Sequence, residues 1–454
     1  MLLRASLENF KSFDRHTELT MVASEKVKGN EEHKMSLKDV QVLKYGVVYG
    51  ANAAGKSNLV DFFEFVKACV RKGTIPLEAK EWFCKSNEKN KSRESRFELQ
   101  FVQENVVYAY GFAVMLCEGK IASEWLYRLE PNGDAVCLFE REGKERPFLG
   151  ESIPIEPEER SRFAVYAEDF EGNETKLFLT EMNQGKKHSA QSKLLFFRQV
   201  HIWFRENLFI IRPDTALMNF ANYFDEASMH KISNVISAFD TGISQVSVQE
   251  ISIEQLEKEL PRPIFEDLLR QVRKGVEQSD GERVHVNINL RSERSFYNVS
   301  LRKGQEPRIT TLDFRHKQSF YNFRFEEESE GTRRLFDLLD IMLRKGDGVV
   351  YIVDELERSL HPKLIEHYLR LFMKQHKDRC RQLLFTTHEA SLLDQSLFRR
   401  DEVWFVERDE KDYSTIYSLE RFKEHYGSPL SKEYLEGRYG AIPIFSSFAD
   451  GGEE

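Results

Sequence analysis

The sequence predicts an α/β protein with a mixed-sheet core, an antiparallel β-subdomain and a largely helical insertion. Three observations support this fold class. A glycine-rich loop at residues 50–57 stands between a short apolar strand and a helix with apolar residues at helical spacing. A second apolar strand, Val349–Val353, ends in two acids. Between these segments, alternating strand patterns give way to helical spacing and then return.

Bulk composition narrows the class further. At 454 residues the chain is too long for one compact core. Its formal net charge of −9 argues against a protein that coats nucleic acid over its whole surface. The five cysteines are odd in number and form no C-x-x-C pair, so we expect neither disulfides nor a zinc site. This use of cysteine is typical of a protein in the reducing cytoplasm. No apolar run is long enough to span a bilayer, so no membrane partner is expected.

The order of the patterns predicts three segments. Residues 1–149 form the N-terminal part of a main domain, called the head below, with the glycine-rich loop and the β-subdomain. Residues 150–282 open with a Pro/Glu-rich stretch and continue at helical spacing, which predicts a mainly helical insertion. Residues 283–454 return to strand alternation and form the C-terminal part of the head.

The glycine-rich loop fits the pattern G-x-x-x-x-G-K-[ST] without a mismatch. Its small residues let backbone N–H groups surround an anion, the lysine neutralises the outer phosphates, and the serine hydroxyl completes a Mg²⁺ shell. The helix that follows directs its N-terminus toward the phosphates. We therefore expect a bound nucleoside triphosphate with Mg²⁺. The predicted binding residues are Gly50, Asn52, Ala53, Ala54, Gly55, Lys56, Ser57 and Asn58.

Two further strand ends complete the predicted site. Asp354 follows the strand Val349–Val353 and is expected to support the metal, and Glu355 is expected to orient or deprotonate the attacking water. Standing alone, these two acids would be read as an ordinary strand cap. His388 ends another short strand and is expected to sense the γ-phosphate or position water.

A second anion site is predicted at the start of a later helix. Ser329, Gly331 and Thr332 combine small hydroxyl residues with a glycine where that helix begins. Without the glycine-rich loop, an ordinary helix cap would be the better interpretation. The phosphate chain of one nucleotide is already bound by the glycine-rich loop, so a second anion site in the same molecule is not required for it. Two copies facing each other would use both.

Taken in order, these motifs resemble those of ABC-class ATPases of the SMC/RecF/OLD type. The segments at 7–13 and 359–362 fit the same class, and the segment at 434–443 is similar to the tail of stand-alone bacterial AAA-family ATPases of defence islands. The resemblance implies ATP as the nucleotide, Glu355 as catalytic base, His388 as switch, and Ser329 with Gly331 contacting ATP across a dimer. The second anion site corresponds to the signature motif of this class, here residues 329–332. It reads Ser-Glu-Gly-Thr and so departs from the form found in transporters. The class also has a glutamine in a metal-sensing loop, and either Gln100 or Gln103 could correspond to it.

The resemblance also implies a function. OLD-type proteins carry a nuclease after the head, but only 66 residues follow His388, so any effector is expected to be a separate chain. The arrangement resembles the ATPase subunits of PARIS-type anti-phage defence, whose partner is a TOPRIM nuclease. This implies a homo-oligomeric sensor or scaffold that holds a nuclease effector until a phage-derived trigger arrives. The alternative is a RecF-like DNA-repair ATPase that clamps duplex DNA. The basic stretches at 186–193 and 291–302 would then contact the DNA. Solvent-exposed surface charge is the simpler interpretation of both stretches.

Overall fold

The protein is described from a computed structural model. The residues it describes are 1–38, 40–186, 189, 191–213, 226–277, 285–291, 296–302, 306–423 and 429–443. The described chain divides into two compact units. The first comprises Met1–Arg212, Gly346–Leu356 and the described residues from His376 onward, and the second comprises the described parts of Pro213–Lys345 and Glu357–Gln375.

The described strands in chain order are β1 (Leu2–Glu8), β2 (Thr17–Thr20), β3 (Lys34–Leu37), β4 (Val40–Leu43), β5 (Tyr45–Tyr49), β6 (Ser95–Gln103), β7 (Val106–Met115), β8 (Lys120–Leu129), β9 (Ala135–Glu142), β10 (Phe148–Leu149), β11 (Leu208–Ile211), β12 (Ile243–Ile251), β13 (His285–Arg291), β14 (Phe296–Arg302), β15 (Arg308–His316), β16 (Phe323–Arg324), β17 (Val349–Val353), β18 (Arg381–Thr387), β19 (Val403–Arg408) and β20 (Ser414–Ser418). The described α-helices are α1 (Lys56–Lys72), α2 (Pro157–Phe170), α3 (Phe178–Glu181), α4 (Leu195–Ile202), α5 (Glu226–Ser237), α6 (Ile253–Glu259), α7 (Arg262–Glu277), α8 (Glu330–Asp337), α9 (Leu339–Leu343), α10 (Pro362–Gln375) and α11 (Leu430–Leu435).

A mixed sheet forms the centre of the first unit. Its strand order is β11-β17-β18-β5-β19-β20, with every neighbouring pair parallel except β19 and β20. Every residue of β5 and β17 is buried, which explains why both strands are continuous apolar runs. Because parallel strands end at the same edge of a sheet, the residues that follow β5, β11, β17 and β18 lie along one edge.

An antiparallel sheet forms the second layer of this unit. Its order is β10-β9-β8-β7-β6-β1-β2. Helix α1 packs against it through aromatic side chains: the ring of Phe65 lies 4.9 Å from that of Phe97 and 6.3 Å from that of Phe112. The predicted α/β class, with a mixed core sheet and an antiparallel β-subdomain, is confirmed.

The second unit has its own sheet and its own small core. The sheet order is β12-β15-β14-β13, and β16 pairs with β15. Helices α6 and α7 contribute Leu256, Phe265 and Leu268 to a cluster that also contains Val299 and Ile309 from β14 and β15. The amphipathic spacing of α7 directs its apolar stripe at this sheet.

The observed division differs from the three predicted segments. The segment 150–282 is split between the units, because β11 joins the central sheet of the first unit while β12 opens the sheet of the second. Strands β13 and β14, which were expected to re-enter the head, belong to that second sheet. The charged stretch 24–39 contains β3, which pairs with β4.

The expectation that no membrane partner exists and the basic stretches of the DNA-binding alternative are compared here with the described residues. Within its described part, no helix is long and apolar enough to cross a membrane. Residues 187, 188, 190 and 292–295 of the two basic stretches lie outside the described residues.

Candidate nucleotide site

The glycine-rich loop joins the end of β5 to the start of α1 in a tight turn. Ala53 and Gly55 have positive φ angles of 63° and 116°. A Cβ on Gly55 would lie 2.3 Å from Ser414 Oγ, and a Cβ on Gly50 would lie 2.4 Å from Val406 O. Both glycines are therefore required by close packing around the loop, and Gly55 also by its backbone conformation.

The start of α1 is suited to an anion. Its N-cap is Gly55, which provides no side-chain cap. The first N–H groups of a helix have no partner within the helix, and together with the helix dipole they attract negative charge. The first turn contains the predicted ligands Lys56, Ser57 and Asn58. The loop and the helix start thus fit a polyphosphate.

Lys56 is held inside its own loop. Its Nζ donates to Gly50 O at 2.6 Å and to Ala51 O at 3.0 Å, and the residue is 8% exposed. The ammonium group is thereby kept at the first two residues of the loop. This position suits a cation that neutralises phosphate at the loop.

Two serines brace the loop from outside the predicted motif. Ser414 Oγ lies 2.6 Å from Ala54 O and 2.6 Å from Ser12 Oγ. Asn58 Nδ2 donates to Ser12 Oγ at 2.7 Å, so this predicted ligand side chain faces Ser12. Neither serine was predicted to belong to the site. Ser12 lies in the opening motif at 7–13, which was the available signal, whereas nothing in the sequence marks Ser414.

The two acids after β17 are fixed by a threonine of the next strand. Asp354 is 3% exposed, and its Oδ1 accepts from Thr386 Oγ1 at 2.7 Å. The same hydroxyl accepts from the Glu355 N–H at 2.9 Å. Glu355 has a φ of 47°, a backbone conformation that non-glycine residues rarely adopt. Thr386 thus fixes the side chain of Asp354 and the backbone of Glu355, and it was not among the residues predicted from the sequence.

Arg212 is a further residue of this edge that was not predicted from the sequence. It directly follows β11, the neighbour of β17, and its Nη1 donates to Asp354 Oδ2 at 3.2 Å. It also pairs with Asp61 and Glu64 of α1. Burial lowers the pKa of Arg212, but the carboxylates of Asp61 and Glu64 outweigh this effect and raise it. The available signal was a short apolar strand, Leu208–Ile211, followed by arginine and proline.

His388 follows β18, at the same sheet edge as Asp354 and the loop after β5. It is exposed, and Thr387 before it accepts from the Glu389 N–H at 3.1 Å. By contrast, Gln100 and Gln103 both lie within β6, and Gln100 Nε2 donates to Glu98 Oε1 at 3.0 Å.

The predicted second anion site lies in the second unit, at the start of α8. Ser329 is the N-cap, and its Oγ accepts from the Thr332 N–H at 3.1 Å. Ser359 Oγ donates to Glu330 Oε1 at 2.5 Å. A Cβ on Gly331 would lie 2.8 Å from Ser359 O. The segment at 359–361 therefore packs directly against the signature.

The described residues contain no group of three or more His, Cys, Asp or Glu side chains that could hold a metal by themselves. Ser57 and Asp354 instead provide one hydroxyl and one carboxylate. This donor set fits Mg²⁺, which keeps several waters and is usually bound together with the phosphates of its nucleotide.

The fold and the loop define a P-loop nucleotide-binding protein. Residues 47–394 match the family described as "AAA domain, putative AbiEii toxin, Type IV TA system", and the chain belongs to this family. No curated protein matches it.

Solved structures with similarity to the chain include three SMC heads. An SMC head bound to the C-winged helix domain of ScpA is 13% identical, with 92% of this chain and 97% of that chain covered and a TM-score of 0.42. An SMC head domain from Thermotoga maritima is 12% identical, with coverages of 92% and 98% and a TM-score of 0.33. An SMC head with an extended coiled coil, bound to the C-terminal domain of ScpA derived from Pyrococcus furiosus, is 12% identical, with coverages of 96% and 99% and a TM-score of 0.36.

Proposed function

We propose that this protein hydrolyses ATP in a Mg²⁺-dependent reaction. The observation that carries the proposal is the single sheet edge shared by the P-loop, the acids after β17 and the histidine after β18. A phosphate-binding loop, a metal-supporting acid and a candidate base are the parts that phosphoryl transfer to water requires.

Each residue of the edge has a separate role. Lys56 and the N–H groups of the loop bind the phosphates, and Ser57 and Asp354 hold the metal. When bound, Mg²⁺ neutralises charge that develops on the phosphates. Glu355 accepts a proton from the attacking water, with its backbone fixed by Thr386.

His388 is proposed as the switch that positions this water beside the terminal phosphate. It belongs to the same sheet edge, and a neutral imidazole ring carries one hydrogen-bond donor and one acceptor nitrogen. It acts after binding, so its replacement by Ala is expected to reduce turnover more than affinity.

We further propose that each ATP site is completed by a second copy of the chain. Ser329, Gly331 and Thr332 of one copy would contact the nucleotide in the P-loop of the other. The support is a second helix start with a glycine and capping hydroxyls, packed against Ser359. A dimer of this kind has two-fold symmetry and therefore two equivalent sites.

In the cell, we propose a sensor or scaffold ATPase of an anti-phage defence system of the OLD-like or PARIS type. It would hold a separate effector, a nuclease of the TOPRIM type, and release it on a phage-derived trigger. The support is the resemblance of the motifs to ATPases of defence islands. The matched family's description also names a type IV toxin–antitoxin system, a term that implies a second component.

The catalytic proposal is tested with Glu355→Gln and Lys56→Ala. Glu355→Gln is expected to retain ATP affinity and to lose turnover by on the order of a hundredfold or more, because only the proton acceptor is removed. Lys56→Ala is expected to weaken binding itself. Calorimetry and phosphate release measure the two quantities separately. Unchanged turnover in Glu355→Gln would remove Glu355 as the base.

The cellular proposal is tested by affinity purification from infected and uninfected cells. The expected result is a nuclease that co-purifies before infection and is released after it. Tight, salt-sensitive binding of duplex DNA by the protein alone, with DNA stimulating turnover, would support the DNA-clamp alternative instead.

A further inference from the structure

Arg212 lies beside the acid that is proposed to support the metal. It follows β11, and the Asp354 N–H donates to Ile211 O at 2.9 Å, so the ends of β11 and β17 are joined side by side. The Arg212 side chain is 21% exposed and that of Asp354 is 4% exposed. The pair is therefore shielded from most of the solvent, and its interaction is stronger than that of a surface ion pair.

The guanidinium of Arg212 bridges three carboxylates. Nη1 donates to Asp354 Oδ2 at 3.2 Å. Nε and Nη2 donate to Glu64 Oε2 at 3.0 and 2.8 Å, and Nη2 also donates to Asp61. Asp61 pairs in addition with Lys11. An arginine can make these contacts together because its donors form a rigid fork, whereas a lysine presents one point charge.

These contacts place a positive charge at Asp354, one proposed metal ligand, and on Asp61, which lies near the other proposed ligand, Ser57. Asp354 is held directly, through the oxygen that Thr386 does not occupy. Ser57 stands four residues before Asp61, so the two side chains lie on the same face of α1, one turn apart. A guanidinium and a divalent cation near one carboxylate oxygen repel each other and compete for its lone pairs.

We propose that Arg212 competes with Mg²⁺ for Asp354, so that loading the metal requires the guanidinium to leave Asp354 while Asp61 and Glu64 retain it. This inference rests on the proposed role of Asp354 as metal support. Arg212 is a positioning residue here, since it acts through Asp354. Its effect is to raise the Mg²⁺ concentration that nucleotide binding requires.

The test measures the affinity for a non-hydrolysable ATP analogue by calorimetry over a series of Mg²⁺ concentrations. Arg212→Gln is expected to lower the Mg²⁺ concentration for half-maximal affinity by about tenfold, because one full charge is removed beside Asp354. Arg212→Lys keeps a charge but loses the fork, so a smaller decrease is expected. Arg205→Gln is the matched control: Arg205 pairs with Glu206, both side chains are more than half exposed at 57% and 54%, and no change is expected.

A double-mutant cycle with Asp354→Asn tests whether Arg212 acts through that residue. In the Asp354→Asn background, Arg212→Gln should change the Mg²⁺ dependence no further. The inference is overturned if Arg212→Gln matches the wild type and Arg205→Gln, or if its effect persists without Asp354. If Arg212→Gln does not fold, an unchanged Mg²⁺ dependence in Arg212→Lys overturns it equally. Failure of the proposed function looks different, because wild-type binding of the analogue would then be absent or independent of Mg²⁺.

Discussion

Replacing Thr386 by valine removes one hydroxyl that holds two acids of the proposed catalytic edge. Thr386 is 2% exposed. Its Oγ1 donates to Asp354 Oδ1 at 2.7 Å and accepts from the Glu355 N–H at 2.9 Å. Valine has nearly the same shape and leaves no cavity, so the change isolates these two hydrogen bonds.

The expected loss follows from the two bonds. A hydrogen bond to an ionised carboxylate contributes about 1.5–3 kcal/mol, and one between neutral groups about 0.5–1.5 kcal/mol. Thr386→Val should therefore lower the free energy of unfolding by about 2–4 kcal/mol. Glu355 has a φ of 47° and loses a backbone partner. Because a displaced base transfers protons poorly, ATP turnover should fall by at least about tenfold.

Urea denaturation and phosphate release measure the two effects. Thr386→Ser keeps the hydroxyl, so turnover should stay near the wild-type rate, while loss of the buried methyl group should cost only about 1 kcal/mol of stability. Thr180→Val is the matched control: Thr180 is equally buried, and its Oγ1 donates to Val70 O at 2.7 Å. It should cost about 1 kcal/mol of stability and leave turnover unchanged. The reasoning is refuted if Thr386→Val turns over ATP at the wild-type rate and loses no more stability than Thr180→Val.

Three further substitutions test other parts of the account. Gly55→Ala should lower stability by about 1–3 kcal/mol and weaken nucleotide binding, because its Cβ meets a serine hydroxyl at a positive φ; Gly133→Ala, at a φ of 90° in open space, is the control for backbone strain alone. Asn9→Ala should cost about 2–4 kcal/mol in urea denaturation, since the buried amide donates to two backbone carbonyls at 2.8 and 2.9 Å; a loss below about 0.5 kcal/mol would contradict this. Gly331→Ala should spare ATP binding and reduce turnover, because its Cβ would press on Ser359 O at 2.8 Å; equal losses of binding and turnover would argue against a signature that acts on a second copy.

The features predicted from the sequence were those with strong local patterns. Strands β5 and β17 are continuous apolar runs because both their faces are buried, so the pattern itself marks them. The glycine-rich loop is a contiguous motif whose backbone needs small residues. The head's α/β class followed from these elements alone.

The site residues that were not predicted are positioned by contacts between residues that lie far apart in the sequence. Arg212 meets Asp61 across 151 positions, and Ser414 meets Ser12 across 402. Strand β11 has four residues, too few for periodicity to distinguish it from the end of the preceding helical segment. It is this strand that brings Arg212 to the edge and divides the predicted insertion between the two units.

The central claim is that one ATP site needs two copies of the chain, and mixing two inactive variants tests it most directly. Lys56→Ala disables the P-loop, and Ser329→Arg replaces the cap hydroxyl at the start of α8 with a long charged side chain. Each variant alone should be inactive. In a mixed dimer, one site combines the intact P-loop of one copy with the intact signature of the other.

Random exchange makes half of the dimers mixed, each with one intact site, so phosphate release should recover to about a quarter of the wild-type rate. No recovery, in a mixture shown by differential tagging to form mixed dimers, would contradict the account.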